Sequence, residues 1–140
     1  MNGGAQRFPY SRRDPADLIQ SPMPFLPLLL RGAAPLQIQA LAPVDSGSTM
    51  NVMPHSLGLQ LGFVWDAQPI VAALAGGLAA VETRAVGVEA VVGGFPPVRL
   101  AFGWAETDDP VLLLGQMNFF IEFDVCLFRS RQLFEVRPRA

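Results

Sequence analysis

Lysine is absent from this 140-residue chain, and all ten of its basic residues are arginine. This absence excludes a phosphate-loop lysine, a Schiff-base lysine and a lysine general base. Charge of either sign is scarce as well, since charged residues make up 16% of the chain and leave a net charge of −2. Electrostatic binding of nucleic acid requires a basic face, so we expect no nucleic-acid partner.

Cysteine and histidine occur once each, as Cys126 and His55. They are too few for an internal disulfide or a zinc site, and the one adjacent acidic pair, Asp108-Asp109, is typical of a solvated turn. We therefore expect no metal and no cofactor. The apolar neighbours of Cys126 predict a buried strand, in which the thiol acts as a small core side chain. His55 follows Pro54 on a predicted short helix, where we expect a surface or capping residue rather than a catalytic base.

Long hydrophobic runs are missing too. The longest are Pro24–Leu30 and Pro69–Val81, and both are shorter than the roughly 20 residues that cross a bilayer. The first twenty residues are polar and lack the apolar stretch of a signal peptide. We therefore expect no membrane span and a cytoplasmic location.

What the chain does contain is apolar material, at 51% of its residues. That is enough to bury a core, so global disorder is excluded, and the length fits one domain. Residues 1–24 are rich in proline and glycine without a periodic pattern, which predicts a flexible N-terminal arm. The arm would be followed by a single domain over residues 25–140.

Short strands dominate the predicted secondary structure of that domain. Leu36, Ile38 and Ala40 alternate with glutamines, as in a half-buried strand, and Pro54–Leu61 resembles a short helix. A glycine pair, Gly76-Gly77, separates two apolar runs and predicts a hairpin. Many short strands with little helix favour a closed or sandwiched β domain. Further predicted strands are Phe25–Arg31, Ile70–Leu74, Leu78–Val92, Val98–Trp104, Val111–Leu114, Phe123–Phe128 and Gln132–Val136.

One tripeptide, Asp45-Ser46-Gly47, stands out as a candidate for chemistry. It follows the apolar segment Leu41–Val44, so its carboxylate would lie where a strand leaves the core. Alone it is weak evidence, because turns of this composition are common for structural reasons. Two further features follow in order: the glycine hairpin about thirty residues later, and Leu113-Leu114-Gly115 near the C-terminus.

These three features together resemble the retropepsin-like aspartic proteases, the family of the retroviral proteases and their bacterial and eukaryotic relatives. The resemblance covers about Phe25 to Pro138. In three places the chain departs from the family: Ser46 replaces the commoner threonine, Gln116 stands where retroviral enzymes often carry arginine, and the arm has no counterpart. The matching segments are Val44–Ser48 for the apolar-D-[T/S]-G-small pattern, Leu74–Leu78 for the glycine-rich flap tip, and Leu113–Phe120 for two apolar residues and a glycine that open a short helix.

The resemblance implies an all-β fold, a closed retropepsin-like acid-protease β-barrel with one or two short helices, active as a homodimer. Asp45 would be the catalytic residue. Its chemistry needs two facing carboxylates, and the chain has one D-[S/T]-G, so the second Asp45 would come from another copy. The Ser46 hydroxyl would hydrogen-bond across the dimer axis. Other implied residues are Gly47 and Ser48 for the loop, Ala75, Gly76 and Gly77 for the flap, Leu113, Leu114 and Gly115 for the second motif, and, from position alone, Val52, Leu74, Leu78 and Val111 for a substrate pocket.

Three functions remain open at this point. The first is an aspartic endopeptidase that cleaves peptides or proteins with apolar side chains. The second is a catalytically inactive module of the same fold, used for dimerisation or peptide binding. The third is an unrelated small β domain in which Asp45 is a turn residue. The sequence does not separate the first two, because both need the same turn.

Overall fold

The computed structural model describes residues 4–76 and 79–140. Within them, the longest helix has six residues, and no helix is long and apolar enough to cross a membrane. Two short 3₁₀ turns lie at Trp65–Ala67 and Arg129–Arg131. The described strands and α-helices are β1 (Gln6–Pro9), β2 (Phe25–Arg31), β3 (Gln37–Pro43), β4 (Asn51–Met53), α1 (His55–Gln60), β5 (Ile70–Gly76), β6 (Ala79–Val92), β7 (Val98–Ala105), α2 (Phe119–Glu122), β8 (Phe123–Phe128) and β9 (Leu133–Pro138).

The larger sheet has the order β3-β2-β6-β7-β4, and β5 pairs with the far end of β6. Its pairs are antiparallel except for β4 with β7, which are parallel. Leu26, Leu28 and Leu30 of β2 point into the core, as the period of a strand predicts, and Trp104 of β7 is fully buried. Each such side chain contributes roughly 1.5–3 kcal/mol by leaving water. The sequence therefore predicted the position of β2 correctly, at Phe25–Arg31.

The two ends of this sheet, β3 and β4, do not pair with each other among the described strands. The short segment Leu113–Leu114 lies between them instead and makes one bridge to each side, to Val52 and to Val44. The prediction of an all-β domain with short helices is confirmed. The predicted continuous barrel and the predicted strand Val111–Leu114 are wrong for the described residues, because this segment contacts a different strand at each residue rather than forming a ladder.

The smaller sheet has the order β1-β9-β8 and includes part of the predicted arm. Gln6–Pro9 pairs with Leu133–Val136, and the Phe8 and Phe134 rings stack 5.5 Å apart. Further along, Ser11 and Met23 form a bridge. The arm predicted over residues 1–24 therefore contains a strand, β1, that is paired into a sheet. A four-residue strand carries too little periodicity to recognise, and its pairing partner lies at the other end of the chain.

Cys126 is exposed, so the prediction that it is a core side chain is wrong. It belongs to β8, an edge strand of the smaller sheet, and lies opposite Glu135. Alternation along β8 buries Phe123 and turns Cys126 to the other face. The apolar run suggested a strand buried on both faces, whereas one face of β8 is open.

His55 is half-buried at the start of α1 rather than on the surface. Its Nδ1 lies 3.1 Å from the Ala105 carbonyl oxygen, and its ring lies 5.3 Å from those of both Trp65 and Trp104. The Ser56 amide is one of the first-turn amides that have no partner within the helix, and it donates to the Asp108 carboxylate at 2.7 Å. The histidine therefore packs against the core, and the acidic turn supplies the cap.

Candidate active site

The Asp45 loop begins where β3 leaves the larger sheet. The Asp45 amide donates to the Leu114 carbonyl at 2.8 Å, and the Leu114 amide donates to the Pro43 carbonyl at 3.0 Å. These bonds fix the chain up to Asp45. The next residues, Ser46 and Gly47, are exposed together with Asp45 itself. The carboxylate is thus presented to solvent from a well-anchored strand end.

A tight turn orients the Asp45 carboxylate. The Gly47 amide donates to Asp45 Oδ1 at 2.9 Å, and the Ser48 amide donates to the Asp45 carbonyl at 3.1 Å. A Cβ on Gly47 would lie 3.2 Å from Oδ1, tighter than an ordinary contact. The other carboxylate oxygen makes no hydrogen bond within the part of the chain that the structure describes. One oxygen therefore orients the group, and the other has no hydrogen-bond partner among the described residues.

The predicted second motif holds this loop from the other side. Leu113 and Val52 exchange two backbone hydrogen bonds of 3.0 Å, and the Gln116 amide donates to the Ser48 carbonyl at 2.9 Å. The Gln116 side chain also donates, from Nε2 to the Ser46 carbonyl, at 2.8 Å. The motif therefore runs between the strand before Asp45 and the strand after it. Gln116, noted in the sequence as a departure from the retroviral pattern, contacts the loop directly.

Asn51 is a buried polar residue that sequence reasoning missed. It is fully buried, and its Oδ1 accepts the Gly115 amide at 2.8 Å. Its Nδ2 donates to the Ala101 carbonyl at 2.9 Å and to Asn118 Oδ1 at 3.2 Å. Asn118 Oδ1 also accepts the Ala101 amide at 3.0 Å. Asn51 thus connects β4, β7 and the second motif, and no local pattern around it signals that role.

Asn51→Ala should lower the free energy of unfolding by about 2–4 kcal/mol, because it leaves buried amide and carbonyl groups unpaired. Urea denaturation followed by circular dichroism measures the loss. Gln37→Ala on the exposed part of β3 is the control, with a change below roughly 0.5 kcal/mol. Equal stability of the two variants would show that the Asn51 network does not support the site.

The structure describes only some of the remaining residues that were predicted for the loop and the flap. The Ser46 hydroxyl makes no hydrogen bond among the described residues, whereas Ser48 Oγ donates to the Met50 carbonyl at 2.8 Å. The backbones of Leu74, Ala75 and Gly76 belong to β5, which pairs with β6. Gly77 and Leu78 lie outside the described residues. The roles predicted for Ser46 and for the flap stay predictions.

Two of the predicted pocket residues, Val52 and Val111, differ in exposure, while the Leu74 side chain and Leu78 lie outside what the structure describes. Val52 is 4% exposed and packs in the core, while Val111 is 48% exposed. Val111 lines an open groove of about 480 Å³ together with Pro54 and Leu57. Among the described residues, no three His, Cys, Asp or Glu side chains are placed to hold a metal ion.

Strand β7 lies between the β5–β6 hairpin and the chain that follows the Asp45 loop. β7 pairs with β6 on one side and with β4, which follows the loop, on the other. At Gly103 of β7, an added Cβ would lie 2.6 Å from Thr83 Cγ2 and 2.7 Å from Met50 Sδ. The base of the hairpin and the chain just after the loop therefore meet over this glycine.

Comparisons with known proteins agree with this arrangement at the level of the fold. No protein-family model matches the chain, and no curated protein matches it either. Among solved structures, the chain is similar to a retropepsin-like aspartic protease from Rickettsia conorii, with a TM-score of 0.66 and 14% identity over 94% of this chain and 98% of that one. It is also similar to the retroviral protease-like domain of Ddi1 from Leishmania major, with a TM-score of 0.61 and 16% identity over 86% of this chain and 97% of that one.

The chain therefore has the retropepsin-like fold, and the resemblance inferred from its sequence is confirmed at that level. Both neighbours are matched over nearly their whole length, so the likeness concerns the complete domain. At 14% and 16% identity it establishes the fold and not the activity.

Proposed function

We propose that this protein is an aspartic endopeptidase in which Asp45 from each of two identical chains forms the catalytic pair. The observation that carries the proposal is the Asp45 loop. Its carboxylate is exposed, oriented by the Gly47 amide and anchored to the second motif, within a retropepsin-like fold. The chain supplies one such loop, so a symmetric pair of chains is the simplest source of two carboxylates.

The reaction follows from placing two carboxylates together. Two carboxyl groups about 3 Å apart cannot both ionise, because their negative charges repel, so the pair shares one proton, as in the aspartic proteases. The ionised carboxylate takes a proton from a bound water, which attacks the scissile carbonyl while the other carboxyl donates its proton to the carbonyl oxygen. The carboxyl that took the water's proton then gives it to the amide nitrogen, the other carboxylate takes a proton from the diol, and the C–N bond breaks, which releases an acid and an amine.

Exposed apolar side chains on the segment that follows Gln116 favour a second copy of the chain as the partner. Met117 is 65% exposed and Ile121 is 50% exposed, and both follow closely on Gln116, which contacts the loop. Apolar surface of this kind next to a functional site is typical of an interaction face. We propose that this face meets its symmetry mate, where the Ser46 hydroxyl would find its missing partner.

The β5–β6 hairpin is proposed as the flap that covers the substrate. Hydrolysis needs an extended peptide held in place and bulk water excluded, and a strand edge offers backbone hydrogen bonds to such a peptide. Ala75, Gly76 and Gly77 would form the part that approaches the substrate. The apolar character of Leu74, Leu78 and Val111 favours substrates with apolar side chains.

The dimer is tested by cleavage of fluorescently labelled casein at mildly acidic pH over a range of enzyme concentrations, with sedimentation velocity on the same samples. Activity per chain should rise with concentration as dimers form, because a monomer lacks the second carboxylate. Met117→Glu would place a charge in the proposed interface and should weaken both dimerisation and activity at least tenfold, or about 1.4 kcal/mol. Leu59→Glu, on a 51% exposed residue of α1, should change neither.

The outcomes separate the remaining alternatives. A dimer without cleavage at any pH would favour the inactive dimerisation or peptide-binding module. A chain that stays monomeric at high micromolar concentration, whether or not it cleaves casein, would contradict a catalytic pair shared between two copies.

A further inference from the structure

Strand β6 extends beyond β7 at its N-terminal end. It pairs with β7 from Thr83 to Ala90 and, on its other edge, with β5 from Ala79 to Arg84. Ala73–Gly76 and Ala79–Glu82 thus form a two-stranded ribbon that extends beyond β7. A two-stranded hairpin is marginally stable on its own, so the contacts at its base decide its direction.

Arg84 lies at the base of this ribbon. In the ladder it is opposite Ile70 of β5 on one side and Trp104 of β7 on the other. Its neighbour Thr83 meets Met50 over Gly103, so alternation turns the Arg84 side chain to the opposite face of the sheet. Arg84 therefore contacts the base of the ribbon on the face of the sheet opposite to Met50.

The Arg84 guanidinium binds the turn that leads into β5. Its Nη1 donates to the carbonyls of Trp65 at 2.9 Å and Gln68 at 3.4 Å, and its Nε donates to Glu82 Oε2 at 3.1 Å. Its Cζ lies 4.7 Å from the centroid of the Trp65 ring. The side chain is 15% exposed, so these contacts are shielded from solvent screening more than a surface pair is.

The Trp65 ring, which the Arg84 guanidinium contacts, packs in turn against the core. The Trp65 and Trp104 rings meet edge to face at 5.0 Å, and Trp104 is fully buried. Trp104 Nε1 in turn donates to the His55 carbonyl at 2.9 Å. Arg84 therefore joins a projecting ribbon to an aromatic cluster made from α1, the 3₁₀ turn and β7.

We infer that Arg84 is a positioning residue that fixes the direction of the ribbon, and hence the fraction of time it spends over the substrate. This inference rests on the proposed function, in which the ribbon carries the flap. Without the Arg84 contacts, a smaller fraction of molecules has the ribbon in the position that binds substrate. Apparent substrate affinity falls by the same factor, while the chemistry at Asp45 is unchanged. A lysine retains the charge but lacks the planar, multiply donating group.

Hydrogen–deuterium exchange on the full chain tests whether the Arg84 contacts hold the ribbon, without relying on activity. Arg84→Met should speed exchange of the ribbon amides roughly tenfold and leave β2 unchanged, with Arg84→Lys intermediate. Arg31→Met is the matched control, since Arg31 pairs with Glu89 in the same sheet at 2.5 Å, away from the ribbon. With labelled casein as substrate, Arg84→Met should raise KM about three- to tenfold and change kcat less than twofold.

Ribbon exchange that matches wild type in both Arg84 variants would overturn the inference, and so would a uniform increase throughout the chain. Faster ribbon exchange with an unchanged KM would overturn its role in substrate binding. If Arg84→Met does not fold, Arg84→Lys decides by the same two readouts. Absence of cleavage by the wild-type protein would overturn the proposed function alone, because the exchange rates would still show whether Arg84 holds the ribbon.

Discussion

Asp45→Asn is expected to lower peptide hydrolysis by roughly 10³-fold or more while leaving the fold intact, since general acid–base catalysis contributes 10²–10⁴-fold and the substitution would remove both carboxyl groups of the pair. Asparagine has nearly the same shape as aspartate. Its side-chain amide, however, neither takes a proton from water nor donates one to the carbonyl oxygen as a carboxyl group does. Its Oδ1 can still accept the Gly47 amide, a bond of 2.9 Å in the native loop. Circular dichroism and thermal unfolding should therefore resemble wild type.

Asp109→Asn is the control for this substitution, because Asp109 is an exposed carboxylate in a turn. It should retain full activity. Cleavage by Asp45→Asn at the wild-type rate would remove the enzymatic proposal, whatever the oligomeric state.

Mixing Asp45→Asn with wild-type protein tests whether two chains share one site. If each site takes one carboxylate from each copy, an equal mixture that exchanges subunits keeps about a quarter of the wild-type activity, since mixed dimers are inactive. If each chain carried its own complete site, about half would remain. A value near one half would contradict the shared pair.

Gly115→Ala is expected to have the largest effect on stability, a loss of about 3–5 kcal/mol in the free energy of unfolding. A Cβ at this position would lie 2.3 Å from the Met50 carbonyl oxygen and 2.8 Å from that of Ser48. Both are backbone atoms of the chain that follows Asp45, so relief of the clash requires movement of the loop itself. The Gly115 amide would also be displaced from Asn51 Oδ1, now 2.8 Å away.

Urea denaturation measures this loss, and Gly94→Ala provides the control. There the added Cβ would lie 3.1 Å from Gln6 Nε2, the far end of a flexible side chain, so we expect a change below about 1 kcal/mol. Similar stability of the two variants would show that the backbone can relax around residue 115. The tight crossing next to Asp45 would then not depend on glycine.

The candidate site was only partly visible in the sequence. Asp45, Gly47 and Gly115 were identified because they belong to short, ordered motifs with a known spacing. Asn51 was not, although it bonds to the second motif directly. Asparagine beside valine has no distinctive local pattern, and its partner lies 64 positions away along the chain. Gln116 was noted as a departure, but its contact with Ser46 emerged only from the fold.

By itself, the sequence determined the alternation of β3, most of the strand positions, and the motifs that mark the retropepsin-like fold, because alternation and turn chemistry are encoded within a few neighbouring residues. Tertiary structure alone decided that Gln6–Pro9 joins a sheet, that Cys126 faces outward, and that the second motif bridges two strands without closing a barrel. These outcomes depend on which distant segments pack together. Local periodicity fixes the two faces of a strand but does not say what, if anything, covers each face.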